Sequence, residues 1–273
     1  MIEDESCLLD LSIEDYHASS ALSRSKLLEL RKSPLHFWHK FIKNNNSFQQ
    51  PTDSMEFGSA LHCYLLEPYH FNYRYFLCDK IDKRTTAGKE YLQSILQEAN
   101  GRKLLEKTNF DKIKSISDCL EKNSIFTKFF HGGKVEKSIY WADKSTQLNC
   151  KVRPDILHNN MVVDLKTTAD ASFRSFQSST FKYGYHIQAA MIKEAIKNVL
   201  NIDINDFIFI AIEKEEPFAH CVYILDDKAL QQGLMEFREL LSRYKECFYK
   251  NEWPGYETTF LTLPNYAQYE ILP

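Results

Sequence analysis

Asp155, Asp164 and Lys166 have the types and spacing for hydrolytic chemistry, in the run KVRPDILHNNMVVDLKTT over 151–168. Asn159 and Asn160 mark a tight turn, because asparagine tolerates positive φ, and the strand-like flanks make the run a β-hairpin. A two-residue loop there pairs His158 with Met161, Ile156 with Val163, and Asp155 with Asp164. Alternation along the strands then puts both acids and Lys166 on one face and sends Val163 and Leu165 into the core. Opposed carboxylates about 5 Å apart repel, the more so where apolar flanks exclude water. Such a pair needs a shared proton or a cation between its members. Lys166, one point charge on a flexible stem, bridges two acids poorly. Hard oxygen ligands suit Mg2+ or Mn2+, one ion or two, which keep several waters for a phosphate substrate. That is the chemistry of phosphodiester hydrolysis: the ion activates water and neutralises developing charge, while the lysine orients the nucleophile. An ordinary surface hairpin is the bland alternative for so short a match. Pro154 cannot donate to a ladder and implies an edge or a bulge beside Asp155, where the register can shift.

Pro154–Asp155, then Asp164–Leu165–Lys166, then Gln188 on a following helix resemble the PD-(D/E)-x-K nuclease superfamily. Longer stretches are similar to its exonuclease VIII, or RecE-like, family: FGSALHCYLLEP at 57–68, EKSIYW at 136–141, CKVRPD at 150–155, VVDLKTTAD at 162–170, YGYHIQAA at 183–190 and WPGY at 253–256. These run in order along most of the chain. The resemblance implies an α/β fold with a restriction-endonuclease-like core, a mixed central sheet flanked by helices. It implies that Asp155, Asp164, Lys166 and Gln188 are catalytic. Through the spacing Gly58-x-x-x-His62, it adds His62 to Asp155 and Asp164 as a metal ligand. A lone histidine in an apolar helix is otherwise more often a core residue, and imidazole favours manganese over magnesium. The implied activity is 5′ to 3′ exonuclease action on double-stranded DNA ends, leaving 3′ single strands for a RecT-type annealing protein. A homo-oligomeric ring is implied as well. Similar nucleases carry Gln-x-x-x-Tyr, whereas Ile192 stands four residues after Gln188 here, which leaves Tyr183 or Tyr185 to substitute. A single-strand or structure-specific endonuclease of the same fold is the alternative, ahead of a non-catalytic DNA-binding protein.

The composition is that of an ordinary globular chain: 273 residues, 44% hydrophobic and 26% charged. With 8 Gly and 8 Pro scattered and no linker or repeat, a single domain is expected over 1–273. It divides into a helical part to about 130 and a sheet-containing catalytic core beyond. The acidic start MIEDESCLLD does not read as a signal peptide and no span reaches membrane length, so a cytoplasmic protein with no membrane partner is expected. The 7 cysteines include no C-x-x-C pair, so reduced thiols and no iron–sulfur cluster are expected. A net charge of -3 excludes a general nucleic-acid coat and requires any DNA contact to be concentrated in a patch.

Ser23 reads as the N-cap of a helix to about 31, and Ser33–Pro34 starts another to about 43. These carry Arg24, Lys26, Arg31, Lys32, His36, His39, Lys40 and Lys43, either a DNA patch or a solvated face. Helices follow at 54–66 and 111–123, and a loop with Lys80, Lys83, Arg84 and Lys89 leads into another ending near 100. Strands are expected at 135–141, 148–153, 161–165, 207–213 and 221–225, and helices at 185–200 and 227–249. Glu136 opens the first strand, as a further acid of the site or as a salt-bridge partner. In this register Arg153 lies opposite Lys166 and faces a scissile phosphate. Thr167 and Thr168 follow the strand, to donate hydroxyls to phosphate or to cap what comes next. Tyr185 lies one turn before Gln188.

Overall fold

The computed structural model describes residues 7–43, 52–82, 84–122 and 128–262. Its centre is a mixed sheet of order β3-β6-β7-β8-β9, formed by Lys134–Val135, Ile156–Leu157, Met161–Thr168, Asp206–Glu213 and His220–Ile224. Within this sheet only β7 and β8 run parallel, over their full eight-residue register from Met161↔Asp206 to Thr168↔Glu213. Their sequences, MVVDLKTT and DFIFIAIE, are rich in β-branched and aromatic residues, as expected of strands covered on both faces.

The two faces bury two separate cores. Val163, Leu165, Ile208, Ile210 and Ile212 pack with Phe57 and Leu61 of α4 (Asp53–Leu66) and with Ile113 and Ile116 of α7 (Lys107–Glu121). Val162, Phe207, Phe209 and Ala211 face Ile187, Met191 and Ala195 of α9 (Tyr185–Leu200), with Phe237 and Leu241 of α10 (Asp227–Lys250) behind. Asp164 and Lys166 alternate with Val163 and Leu165, so their side chains share the second face.

A two-stranded ribbon of β4 (Ile139–Ala142) and β5 (Asn149–Val152) stands beside the sheet. The single strand expected at 135–141 is therefore two strands in two sheets. Glu136 makes the break, with φ of 52°, a left-handed conformation that a non-glycine residue adopts at some cost. Around this core lie α1 (Ile13–Ala18), α2 (Arg24–Lys32) and α3 (Pro34–Phe37), the last running into a π-helical turn at Trp38–Lys43. A lobe carries α5 (Pro68–Arg74), α6 (Thr86–Ala99) and the parallel pair β1 (Tyr75–Cys78) and β2 (Lys103–Glu106). Helix α8 (Phe173–Lys182) precedes α9. Among the described residues no helix is long and apolar enough to cross a membrane.

Candidate active site

The hairpin has the register its turn predicts: Ile156 pairs Val163, Leu157 pairs Val162, and His158 N–H donates to Met161 at 2.9 Å. The ladder then stops, because Pro154 has no N–H and the chain leaves for the ribbon. Asp155 and Asp164 are thus not an opposed ladder pair. Instead Asp155 turns its carboxylate back onto β7, where Oδ2 accepts the Leu165 N–H at 2.7 Å. Burial, and next the Asp164 carboxylate, push the Asp155 carboxyl up to about 8, while Lys166 pulls against them.

Asp164 is fully buried on β7. Its Oδ1 accepts from Gln188 Nε2 at 2.6 Å, and Oδ2 forms an ion pair with the Lys166 ammonium. That ammonium lies 4.8 Å from the centre of the Tyr185 ring. Strand alternation places Asp164 and Lys166, and the first turn of α9 supplies Tyr185 and Gln188.

His62 comes from the opposite side, on α4. One turn earlier Gly58 lets that helix rest on β7: a Cβ there would stand 3.2 Å from Thr167 Oγ1. His62 Nδ1 consequently reaches Asp155 Oδ2 at 3.4 Å, and burial holds the imidazole pKa below its ordinary value. Glu136 completes the corner. Its N–H donates to the Asp155 carbonyl at 3.0 Å, and its carboxylate accepts from Arg153 Nε at 2.7 Å. Burial, followed by the Asp155 charge, pushes its carboxyl up to about 7.

His62, Glu136 and Asp155 each offer one ligand atom, all within 4.8 Å of one another, and among the described residues this is the one such group. Two carboxylate oxygens and an imidazole nitrogen suit a small divalent cation, and two carboxyls pushed up by burial and then by a neighbouring carboxylate are what such a cation relieves. The donor set therefore fits a metal. Asp164 is outside this trio, since Lys166 and Gln188 engage both its oxygens.

Other expected positions differ. Arg153 does not lie opposite Lys166: past Pro154 it belongs to the ribbon end, where it pairs with Glu136 and donates to the Leu11 carbonyl at 3.0 Å. It holds an acid of the site. Thr167 and Thr168 lie inside β7, paired with Ile212 and Glu213, and both line the cavity, although Thr168 Oγ1 donates to Asp170 O at 3.0 Å. Much of the basic surface of α2 and α3 is spent internally. Lys26 Nζ donates to the Ser19 and Ser20 carbonyls, Arg31 pairs with Glu236, and Lys32 and Lys40 share Glu29. Lys83 lies outside the described residues, and Arg84 pairs with Asp82.

With Asp164 buried directly behind them, His62, Glu136, Asp155, Lys166, Tyr185 and Gln188 line one cavity of about 1190 Å3, room for several nucleotides. Arg24, Arg74, Lys103 and Lys214 also reach its walls. Arg24 was indistinguishable among eight basic side chains in sequence. No spacing signal links it to acids more than 130 residues away, and only the fold brings it there.

The profile of the PDDEXK-like domain of unknown function, DUF3799, matches residues 23–260. The chain belongs to this family. The matched span of the PDDEXK-like domain takes in every site residue above. Among solved structures it is similar to a crystal structure of a candidate exonuclease from Eubacterium rectale, with a TM-score of 0.62 at 15% identity, covering 89% of this chain and 88% of that one. At that identity the likeness speaks for the fold, and the fold is the PD-(D/E)-x-K nuclease fold expected from sequence. No curated protein is significantly similar in sequence.

Proposed function

We propose that this PDDEXK-like domain is a metal-dependent DNA exonuclease that degrades linear duplex DNA from 5′ to 3′ and leaves 3′ single strands. The observation that carries the hydrolytic reading is the trio His62, Glu136 and Asp155 beside Lys166 and Gln188 on the wall of one cavity, with Asp164 buried behind and bonded to the last two. DNA as substrate, end dependence, polarity and the RecE-like assignment rest on the resemblance in sequence to the exonuclease VIII family. So do a ring assembly and a RecT-type annealing partner.

A Mg2+ or Mn2+ ion held by His62, Glu136 and Asp155 would supply Lewis acidity and an activated water. The residues do the rest. His62, whose pKa burial lowers, presents a neutral nitrogen at neutral pH. Lys166 holds its ammonium at the site by its pair with Asp164 and the face of Tyr185. From there it orients the nucleophile and stabilises charge on the phosphoryl oxygens. Gln188 fixes the direction of Asp164, which would be available as a further ligand to a bound ion if Lys166 turned toward the phosphate. Arg24, on the same cavity wall, meets a neighbouring phosphate.

The test is digestion of linear duplex DNA labelled at either end, with Mg2+ or Mn2+, beside a closed circular control and Lys166→Ala. Early loss of 5′ label, intact circles and a rate lowered about 100-fold or more in the variant are expected. Cleaved circles point to an endonuclease, and an inert wild type leaves a DNA-binding protein. Light scattering that gives only monomer at micromolar concentration counts against the ring.

A further inference from the structure

We infer that Tyr183 is a stacking platform for an unpaired nucleobase next to the scissile phosphate. The inference rests on the nuclease reading above and extends it to the form of the DNA end that the cavity accepts.

Tyr183 follows α8 and its backbone is held on both sides. Its N–H donates to the Ser179 carbonyl at 2.9 Å, and its carbonyl accepts from Arg24 Nη1 at 2.6 Å. The residue is left 45% exposed on the wall of the cavity that holds Asp155 and Lys166. Three other aromatic residues of that wall, Tyr16, Tyr75 and Phe176, are buried and serve the core. Tyr73 is more exposed still, but no ring contact connects it to the catalytic lysine.

Tyr183 has that connection. Its ring centre is 5.8 Å from that of Tyr185, with the planes 32° apart, and Tyr185 carries the Lys166 ammonium 4.8 Å from its own centre. The ledge therefore runs from the catalytic lysine through one occupied ring to one open ring. A nucleotide whose phosphate sits at Lys166 extends its sugar and base about one ring further along, and there it meets Tyr183. Lys182, 5.3 Å from the Tyr183 ring centre and exposed, is a contact that a base displaces. A ring pinned through its backbone loses little freedom on stacking. Stacking tolerates any base sequence, but it requires a base with a free face, so the accepted end is frayed or single-stranded at the active site.

The experiment places 2-aminopurine at successive terminal nucleotides of a DNA oligomer and follows its fluorescence on binding without divalent metal, with digestion kinetics in Mg2+. Wild type, Tyr183→Phe and Tyr183→Trp are expected to quench the probe at one position near the end. Tyr183→Ala and Tyr183→Leu are expected to lose that quench and to raise KM about tenfold, with kcat held within about twofold. Unchanged quench and KM in both aliphatic variants of an enzyme that digests DNA would overturn the stacking role while leaving the nuclease reading intact. A Phe variant as impaired as Ala would overturn it too, by assigning the effect to the hydroxyl. A wild type that neither binds nor cuts DNA removes the nuclease reading and the inference together.

Discussion

Gln188 on α9 donates its side-chain amide to Asp164 on β7, Nε2 to Oδ1 at 2.6 Å. The bond joins the first turn of a helix to the middle of the central parallel pair. It sets the tilt of a carboxylate that has no access to solvent. With its other oxygen paired to Lys166, the Asp164 carboxylate is held between the two side chains. Gln188 Oε1 is buried without a protein partner, which leaves an acceptor at the site for water or substrate.

Removing that amide is expected to act through Asp164 rather than through DNA binding. Gln188→Ala should weaken Mg2+ or Mn2+ affinity roughly 10–100-fold, the usual effect of deleting a group that orients a metal ligand. KM for DNA should stay near wild type. Isothermal titration with metal and steady-state digestion check this, and a variant with normal metal affinity would detach Gln188 from the metal site.

The crowded acids give a pH signature in the metal-free protein. Asp155 is raised in the fold to about 8 from an ordinary value near 4, so its contribution to stability is complete below the lower value and is lost as pH rises through about 8. Glu136, raised to about 7, has the same sign. His62 is lowered and has the opposite sign, its contribution being lost as pH falls below 6.5. Above pH 6.5 the lowered His62 is neutral, so there the comparison of Asp155→Asn with wild type reports chiefly on the carboxyls. The variant's gain in thermal midpoint should grow steadily from pH 5 to pH 8, and adding Mg2+ at pH 8 should stabilise wild type while leaving the variant nearly unmoved. Thermal scans of both proteins across that range decide it, and a gain that shrinks with pH contradicts the crowding.

Arg153 is expected to matter for stability and metal binding. Its guanidinium is buried against Glu136. Arg153→Met strands that acid and should cost about 3–5 kcal/mol. Adding Glu136→Gln should recover part of the loss, a coupling measurable by denaturant unfolding of the four proteins. Had Arg153 faced a phosphate, the dominant effect would be on DNA KM, with no such coupling.

That contrast marks where the sequence runs out. The turn at Asn159–Asn160 and the alternation in VVDLK are local, so the hairpin register and the shared face of Asp164 and Lys166 were legible. The 3.6-residue period of 185–200 placed α9, and with it Gln188, correctly. The left-handed Glu136 was not legible, because nothing marks a glutamate for positive φ, and one strand was expected where two sheets meet. Helix α8, FRSFQSSTFK, is rich in serine and phenylalanine, modest helix formers, and owes its place to Phe176 packed on Tyr223 and Phe209. Of the candidate metal trio, the resemblance supplied His62 and Asp155 as ligands and left Glu136 open as acid or salt-bridge partner, because α4, the β3–β4 break and the hairpin meet only in tertiary structure.

The approach of α4 to β7 is set at one residue, and that residue can be tested. A Cβ on Gly58 would stand only 3.2 Å from Thr167 Oγ1, and His62 follows one turn later. Gly58→Ala asks Thr167 to shift by a few tenths of an ångström while gaining helix propensity of about 1 kcal/mol, so stability should change little. Gly58→Val overfills the contact and should cost about 1–3 kcal/mol. By pushing α4 from the strand it also withdraws His62 from Asp155, and metal affinity should fall with it. Pairing Gly58→Val with Thr167→Ala clears the obstructing hydroxyl and should restore much of both losses. If the double variant binds metal as poorly as Gly58→Val alone, the helix is positioned by its apolar face and not by this contact.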